Sequence, residues 1–162
     1  MESKDNLNLL FSYPATEKIA EEIAEIIINE KQIDINALYQ AYLSVDYCVS
    51  NNAIEFAGGK NSRDTLGSYY TQEECAYEIT KKAVDEYLAN CKTHPNIISV
   101  ADFSCGGGAF LIAAHKICKD IGIEVQMLGV DVDPIATMIT RARLIEERIE
   151  KKDIHVFLGN PL

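Results

Sequence analysis

Asp102-Phe103-Ser104-Cys105-Gly106-Gly107-Gly108 carries the groups needed to bind a small polar ligand. An apolar run, Ile97-Ile98-Ser99-Val100-Ala101, ends in the acid, and apolar residues resume at Ala109-Phe110-Leu111 after the glycines. That order reads as strand, turn and helix. Glycines allow a tight turn and let a ligand approach the main chain. The helix start offers N–H groups without intrahelical partners and the positive end of a dipole. A second acid, Asp131, ends another apolar run in Leu128-Gly129-Val130-Asp131-Val132-Asp133-Pro134. An acid at the end of the second strand is placed to accept hydrogen bonds from ribose hydroxyls. Asp133 reads as the cap of the next helix, with Pro134 as its first residue.

Such a site needs parallel strands with helices between them. The chain predicts a strand over 97–102, a helix from about 108 to 120 stopped by Gly122, and a strand from about 125 to 130. A helix from about 134 to 151 and a strand over 154–158 follow. The stripe of that last helix is Ile135, Met138, Ile139, Ala142, Ile145 and Ile149. Strands alternating with helices imply an α/β fold with a parallel sheet. Ahead of them a long helix, about 72 to 90, is expected to turn Cys75, Ala76, Ile79, Ala83, Val84, Tyr87 and Leu88 inward. Thr71 and Glu74 have capping-box spacing at its start, with Gln72 as the first helical residue. Residues 15–31 read as an amphipathic helix with Glu17, Glu21, Glu22 and Glu25 off its apolar stripe. A second helix is expected from about 36 to 48, carrying Leu38, Tyr39, Tyr42, Leu43 and Val45. Residues 57–66 are polar and glycine-bearing, hence a loop.

These motifs resemble the S-adenosylmethionine-dependent N6-adenine DNA methyltransferases, especially modification subunits and fused enzymes of bacterial restriction–modification systems. The family's glycine motif, Asp-Pro-x-Cys-Gly-x-Gly-x-Phe-Leu, aligns with Asp102 to Leu111, Phe103 replacing the proline. An earlier family motif, Gly-x-aromatic-aromatic-Thr-Pro, aligns with Gly67-Ser68-Tyr69-Tyr70-Thr71, where Gln72 replaces the proline. The resemblance implies the first half of a Rossmann-like S-adenosylmethionine-dependent methyltransferase fold, preceded by a helical N-terminal segment. It divides the chain into that segment (1–50), a loop and cofactor-covering motif (51–71) and a cofactor-binding half (72–162). It implies that Asp102 and the backbone of Ser104, Cys105, Gly106 and Gly108 hold the methionine portion of S-adenosyl-L-methionine. Tyr70 and Thr71 would close over it, Asp131 would hold the ribose, and Asn160 would approach the adenine.

Two family motifs compete for Phe157-Leu158-Gly159-Asn160-Pro161-Leu162. The catalytic Asn/Asp-Pro-Pro-aromatic motif would begin at Asn160, but Leu162 stands where its second proline belongs. The family's third motif, Gly-Asp/Asn-x-Leu after a strand, fits all four positions from Gly159. Only one helix fits between Asp131 and Asn160, so spacing favours the third motif, and no catalytic residue is assigned. The family's domain has about seven strands and three are legible here. The chain is therefore expected to be part of a longer protein and inactive in isolation. Within methyltransferases, RNA or protein substrates remain alternatives. Outside them stands a non-catalytic assembly module with a degenerate pocket. A nicotinamide-dinucleotide fold fits poorly, because position 111 is Leu where its fingerprint wants Gly.

Composition bounds the partners. The 162 residues carry a net charge of −10 and are 48% hydrophobic, enough for a core. Phosphate contacts need Lys and Arg. DNA is therefore expected to be gripped by other parts of the protein or a specificity subunit, with further restriction–modification partner subunits possible. No apolar stretch is long enough to cross a membrane and no secretory signal opens the chain, which predicts a cytoplasmic protein. The five cysteines have no disulfide-scaffold spacing and are expected as free thiols. Cys91-x-x-His94 and His115-x-x-Cys118 have zinc-like spacing, but the elements they fall on do not suit a metal site. Cys105 lacks an evident basic partner and is read as a small packing residue near the ligand.

Overall fold

Along the three central strands, Ile98, Val100, Val125, Met127 and Val156 are more buried than the residues beside them. That two-residue period lets a strand present one face to covering helices. The computed structural model describes residues 71–160 throughout, the backbone of 46–50 and 53–57, and the single positions Glu22, Glu25, Asn29 and Tyr39. In chain order its elements are β1 (Asp46–Ser50), β2 (Ala53–Ala57), α1 (Glu73–Asn90), β3 (Ile97–Asp102) and α2 (Ala109–Asp120). Then come β4 (Glu124–Asp131), α3 (Pro134–Glu146), a 3-10 turn (Lys151–Asp153) and β5 (Ile154–Leu158). Strands β3, β4 and β5 form a parallel sheet in that order, with Asp102 opposite Gly129 and Asp131 opposite Leu158. Asp102 and Asp131 therefore end neighbouring strands on the same side of the sheet.

Strands β1 and β2 pair as an antiparallel hairpin, Asp46 opposite Ala57 and Ser50 opposite Ala53. This corrects the helix expected to run to Cys48, and puts a strand at the end of the helical segment expected over 1–50. The missed signal is two short runs, Tyr47-Cys48-Val49 and Ile54-Glu55-Phe56, separated by polar residues, which is hairpin chemistry. Glu22, Glu25 and Asn29 are helical and exposed, whereas Tyr39 is helical and buried. The remainder of the two expected N-terminal helices and the loop after Ala57 lie outside the described residues.

Two helix ends illustrate how local signals succeed or fail. Helix α2 stops at Gly122, whose φ is +74°; Gly122 N–H donates to Lys119 O and Ile123 N–H to Cys118 O. This is a Schellman closure with glycine at the left-handed position. Helix α3 ends at Glu146 rather than near Lys151 by the same pairing, Arg148 N–H to Ile145 O and Ile149 N–H to Leu144 O. The left-handed residue is Arg148, φ +63°, so no glycine announces the stop. Burial of Ile149 against the Leu144 cluster supplies the apolar contact that usually accompanies this motif.

The core forms on one face of the sheet, where Val100 and Val125 pack against two adjoining clusters. Leu111, Ile112, Met127, Leu144 and Val156 make one cluster, and Val84, Ile98, Ala113, Ile117, Cys118 and Ile123 another. Helix α1 joins the second through Val84, with Ala76 also buried. Cys75, Ile79, Ala83 and Tyr87, expected inward, are exposed. Both apolar stripes of this helix have helical spacing, so spacing alone does not select the one that meets α2. Among the described residues no helix is long and apolar enough to cross a membrane. Leu144, fully buried, is expected to cost about 2–5 kcal/mol on substitution by alanine. Denaturant unfolding checks this, and a loss below about 1 kcal/mol would contradict the packing described.

Candidate functional site

The turn after β3 is held from beneath by α3. Thr140 Oγ1 donates to Gly106 O at 2.6 Å, and Arg143 Nη1 donates to Gly107 O at 2.5 Å. Cys105 O accepts from Gly108 N–H and Gly108 O from Ile112 N–H. The four carbonyls from Cys105 to Gly108 are thus all engaged by protein groups. Four of the five amides from Ser104 to Gly108 are engaged as well: Ser104 N–H donates to Asp102, Cys105 N–H to Val130 O, Gly106 N–H to Asp131 and Gly108 N–H to Cys105 O. Gly108 carries φ +79°, and a Cβ there would sit 2.9 Å from Thr140 Cγ2. Only glycine meets both the conformation and the closeness of α3. Gly108 is also the N-cap of α2, so the turn runs directly into a helix start.

Asp131 closes the turn from the adjacent strand. One carboxylate oxygen accepts Gly106 N–H at 2.7 Å and the other accepts Asp133 N–H at 2.9 Å. The sequence had suggested one acid for ligand and one for backbone; Asp131 has backbone work as well. An ionised carboxylate offers about four lone-pair directions, so it retains capacity for hydroxyl donors. Asp133 caps α3 as expected, accepting Ile135 N–H, with Pro134 at the first position. Its second oxygen accepts the buried Tyr39 hydroxyl at 3.0 Å, a partner that sequence could not supply. Asp102 accepts Ser104 N–H at 3.1 Å. Its carboxyl is held above the ordinary aspartate value, chiefly by burial and further by the nearby Asp131 charge, against the opposing Ser104 hydrogen bond.

The structure therefore brings together Asp102, Ser104, Cys105, Gly106, Gly108 and Asp131. Asn160 follows β5 at the same sheet end, where Gly159 N–H donates to Asp131 O at 2.8 Å. Its position after the third parallel strand matches the spacing argument. Thr71 is half-buried just before α1. The capping box expected there is not formed: Gln72 is the N-cap, without a side-chain cap bond, and α1 begins at Glu73. Tyr70 lies outside the described residues, as do Pro161 and Leu162.

Four residues near the turn escaped the sequence reading. Phe103 and Val132, 54% and 49% exposed, directly follow the two acids and offer apolar surface beside them. Thr140 and Arg143 lie on the buried side of α3, together with Ala136, Thr137, Ile139, Ala142 and Leu144. Of the predicted stripe, Ile139 and Ala142 are buried and Ile135 and Ile145 pack against them, but the buried face extends round to Thr140 and Arg143. That extension arises because polar backbone, rather than apolar core, receives part of the helix.

A cavity of about 300 Å³ between α1 and α2 is lined by residues including Glu73, Tyr77, Ile112, Lys116 and Arg143, and by none of the sequence-predicted site residues. Cys91 and His94 lie in the loop before β3, whereas His115 and Cys118 lie on α2. Among the described residues, no group of three or more His, Cys, Asp or Glu is arranged to hold a metal.

The model for the family described as N-6 DNA Methylase matches residues 53–162, about two thirds of the chain, and this span contains every site residue named above.

Burial, reinforced by the Asp131 charge, pushes the Cys105 thiol up to about 12. The thiolate is the reactive form. At pH 8 an alkylating reagent is thus expected to label exposed Cys75 readily and to spare Cys105 in the native protein. Unfolded Cys105 ionises near 9 while the folded thiol stays protonated, so its linkage lowers stability as pH rises from about 9 towards 12. Peptide mapping after alkylation checks the reactivity; native labelling of Cys105 at the rate of Cys75 would contradict it.

Proposed function

Because this chain belongs to the N-6 DNA methylase family, a family of DNA methyltransferases, we propose that its glycine turn and paired acids bind S-adenosyl-L-methionine for methylation of adenine N6 in DNA. One observation carries the reading. Asp102 and Asp131 end adjacent parallel strands on either side of a turn whose carbonyls are engaged by the protein. The groups present suit this cofactor. Its ammonium and sulfonium are cationic and favour nearby carboxylates. Its ribose hydroxyls suit the remaining acceptor directions of Asp131. Its base suits apolar surface such as that of Val132. When bound, the cofactor supplies an electrophilic methyl group.

The residues named do the work of holding and orienting. Asp102 and the backbone of Ser104 to Gly108 take the methionine end, Asp131 takes the ribose, and Tyr70 with Thr71 covers the site. Asn160 reaches the adenine ring. The parallel strands, the position of the turn and the family support a Rossmann-like methyltransferase fold as the frame. Bringing an amine and a methyl donor into line is a large part of the barrier such an enzyme removes. The 162 residues contain no Asn-Pro-Pro-aromatic tetrapeptide. We therefore assign no residue to the target base, and expect no methyl transfer from these residues alone. In the proposed setting the target adenine is swung out of the duplex. DNA is held by more basic parts of the protein or a specificity subunit of a restriction–modification system, in the cytoplasm. The net charge of −10 supports that division.

Titration calorimetry with S-adenosylmethionine is expected to give saturable binding. Asp131→Ala should weaken it by about 1–3 kcal/mol through loss of a charged hydrogen bond. A folded wild-type protein that takes up no cofactor would favour an assembly module instead. A cationic ligand favours ionised Asp102. Affinity should accordingly fall as pH drops through the raised Asp102 value, with proton release on binding in that window. Asp102→Asn should flatten this dependence, and a pH series of titrations reads it directly.

A further inference from the structure

We propose that Arg143 is a positioning residue that locks the cofactor turn to the start of α1, so that the turn and the first turn of that helix hold one arrangement. The proposal rests on the S-adenosylmethionine reading above. The Arg143 side chain is only 7% exposed. A guanidinium stays charged and must find partners when buried. Its two terminal nitrogens divide between distant parts of the chain. Nη1 donates to Gly107 O and Nη2 to Glu73 Oε1, each at 2.5 Å. Gly107 lies at the centre of the turn, and Glu73 is the first residue of α1, two positions after Thr71.

Gln72 provides no side-chain cap, and Glu73 itself is half-exposed. A solvent-exposed ion pair would contribute little. Here one partner is buried, and removing the other strands its charge. The carboxylate also lies in the first turn of α1, where the helix dipole favours a negative charge. The other end of the fork draws the Gly107 carbonyl towards α3, beside the Gly106 carbonyl held by Thr140. One planar group thus sets the peptide orientation at the turn and the position of the first turn of α1. A lysine ammonium, a single point on a flexible stem, cannot replace that two-ended grip.

The full chain is tested with Glu73→Gln, Arg143→Lys, Arg143→Gln and the Glu73→Gln/Arg143→Gln pair. Amide hydrogen exchange is followed at Gly106 to Gly108 and in the first turn of α1, beside calorimetry with S-adenosylmethionine. Glu73→Gln alters only a half-exposed side chain. It is nevertheless expected to speed exchange in the distant turn and to weaken binding, each by about tenfold, the size of one charge-assisted hydrogen bond. Arg143→Gln should do at least as much, and Arg143→Lys should restore little. The double variant should be no worse than Arg143→Gln, since both changes cut one linkage. Faster exchange confined to α1, with the turn and the affinity unchanged in Glu73→Gln, would overturn the proposal. Should the wild-type protein bind no S-adenosylmethionine, the cofactor reading fails, while turn exchange in Glu73→Gln still decides whether Arg143 links the two segments.

Discussion

A glycine turn beside a helix must find partners for its own carbonyls and amides. Each peptide unit carries donor and acceptor on opposite sides, so orienting one fixes the other. In this protein helix α3 performs that task with two side chains, Thr140 beneath Gly106 and Arg143 beneath Gly107. The cost is steric: the helix approaches so closely that position 108 admits no Cβ. Glycine at position 108 is therefore a consequence of the approach of α3. Even the early stop of α3 serves this arrangement, since the Arg148 closure ends the helix one turn after Arg143 and returns Ile149 to the core.

Asp131 completes the constraint from the sheet. It spends both carboxylate oxygens on backbone amides, one in the turn and one at the approach to α3. Asp102 beside it holds its proton more tightly than an ordinary aspartate, chiefly through burial and further through this neighbouring carboxylate. A site built this way has little rearranging left to do when a cationic ligand arrives, which is the benefit of preorganisation. The thiol of Cys105 shares the same field and is kept neutral, so it contributes packing rather than nucleophilic chemistry.

Much of this was legible in the chain where the signal is local. Strands β3 and β5 fall where apolar runs end in an acid or a glycine, and β4 differs from its expected span by one residue at each end. The Gly122 stop and the Asp133-Pro134 start follow from the backbone preferences of those residues. The N-terminal hairpin was misread because its stability lies in pairing between strands, which a helical periodicity count does not see. The Thr71–Glu74 box failed for a related reason: Glu73 and its ion pair with Arg143 start the helix elsewhere, overriding a local cap.

Residue order alone established the kind of site: a strand-end acid, glycines without side chains, and a second acid after one further helix. Those properties belong to short stretches of backbone and survive in any packing that keeps the strands parallel. Which stripe of α1 turns inward, which side of α3 faces the turn, and that Tyr39 and Glu73 reach Asp133 and Arg143 were settled by folding. They depend on contacts between segments far apart in the chain. A helix with two plausible faces carries no internal mark of the neighbour it will meet.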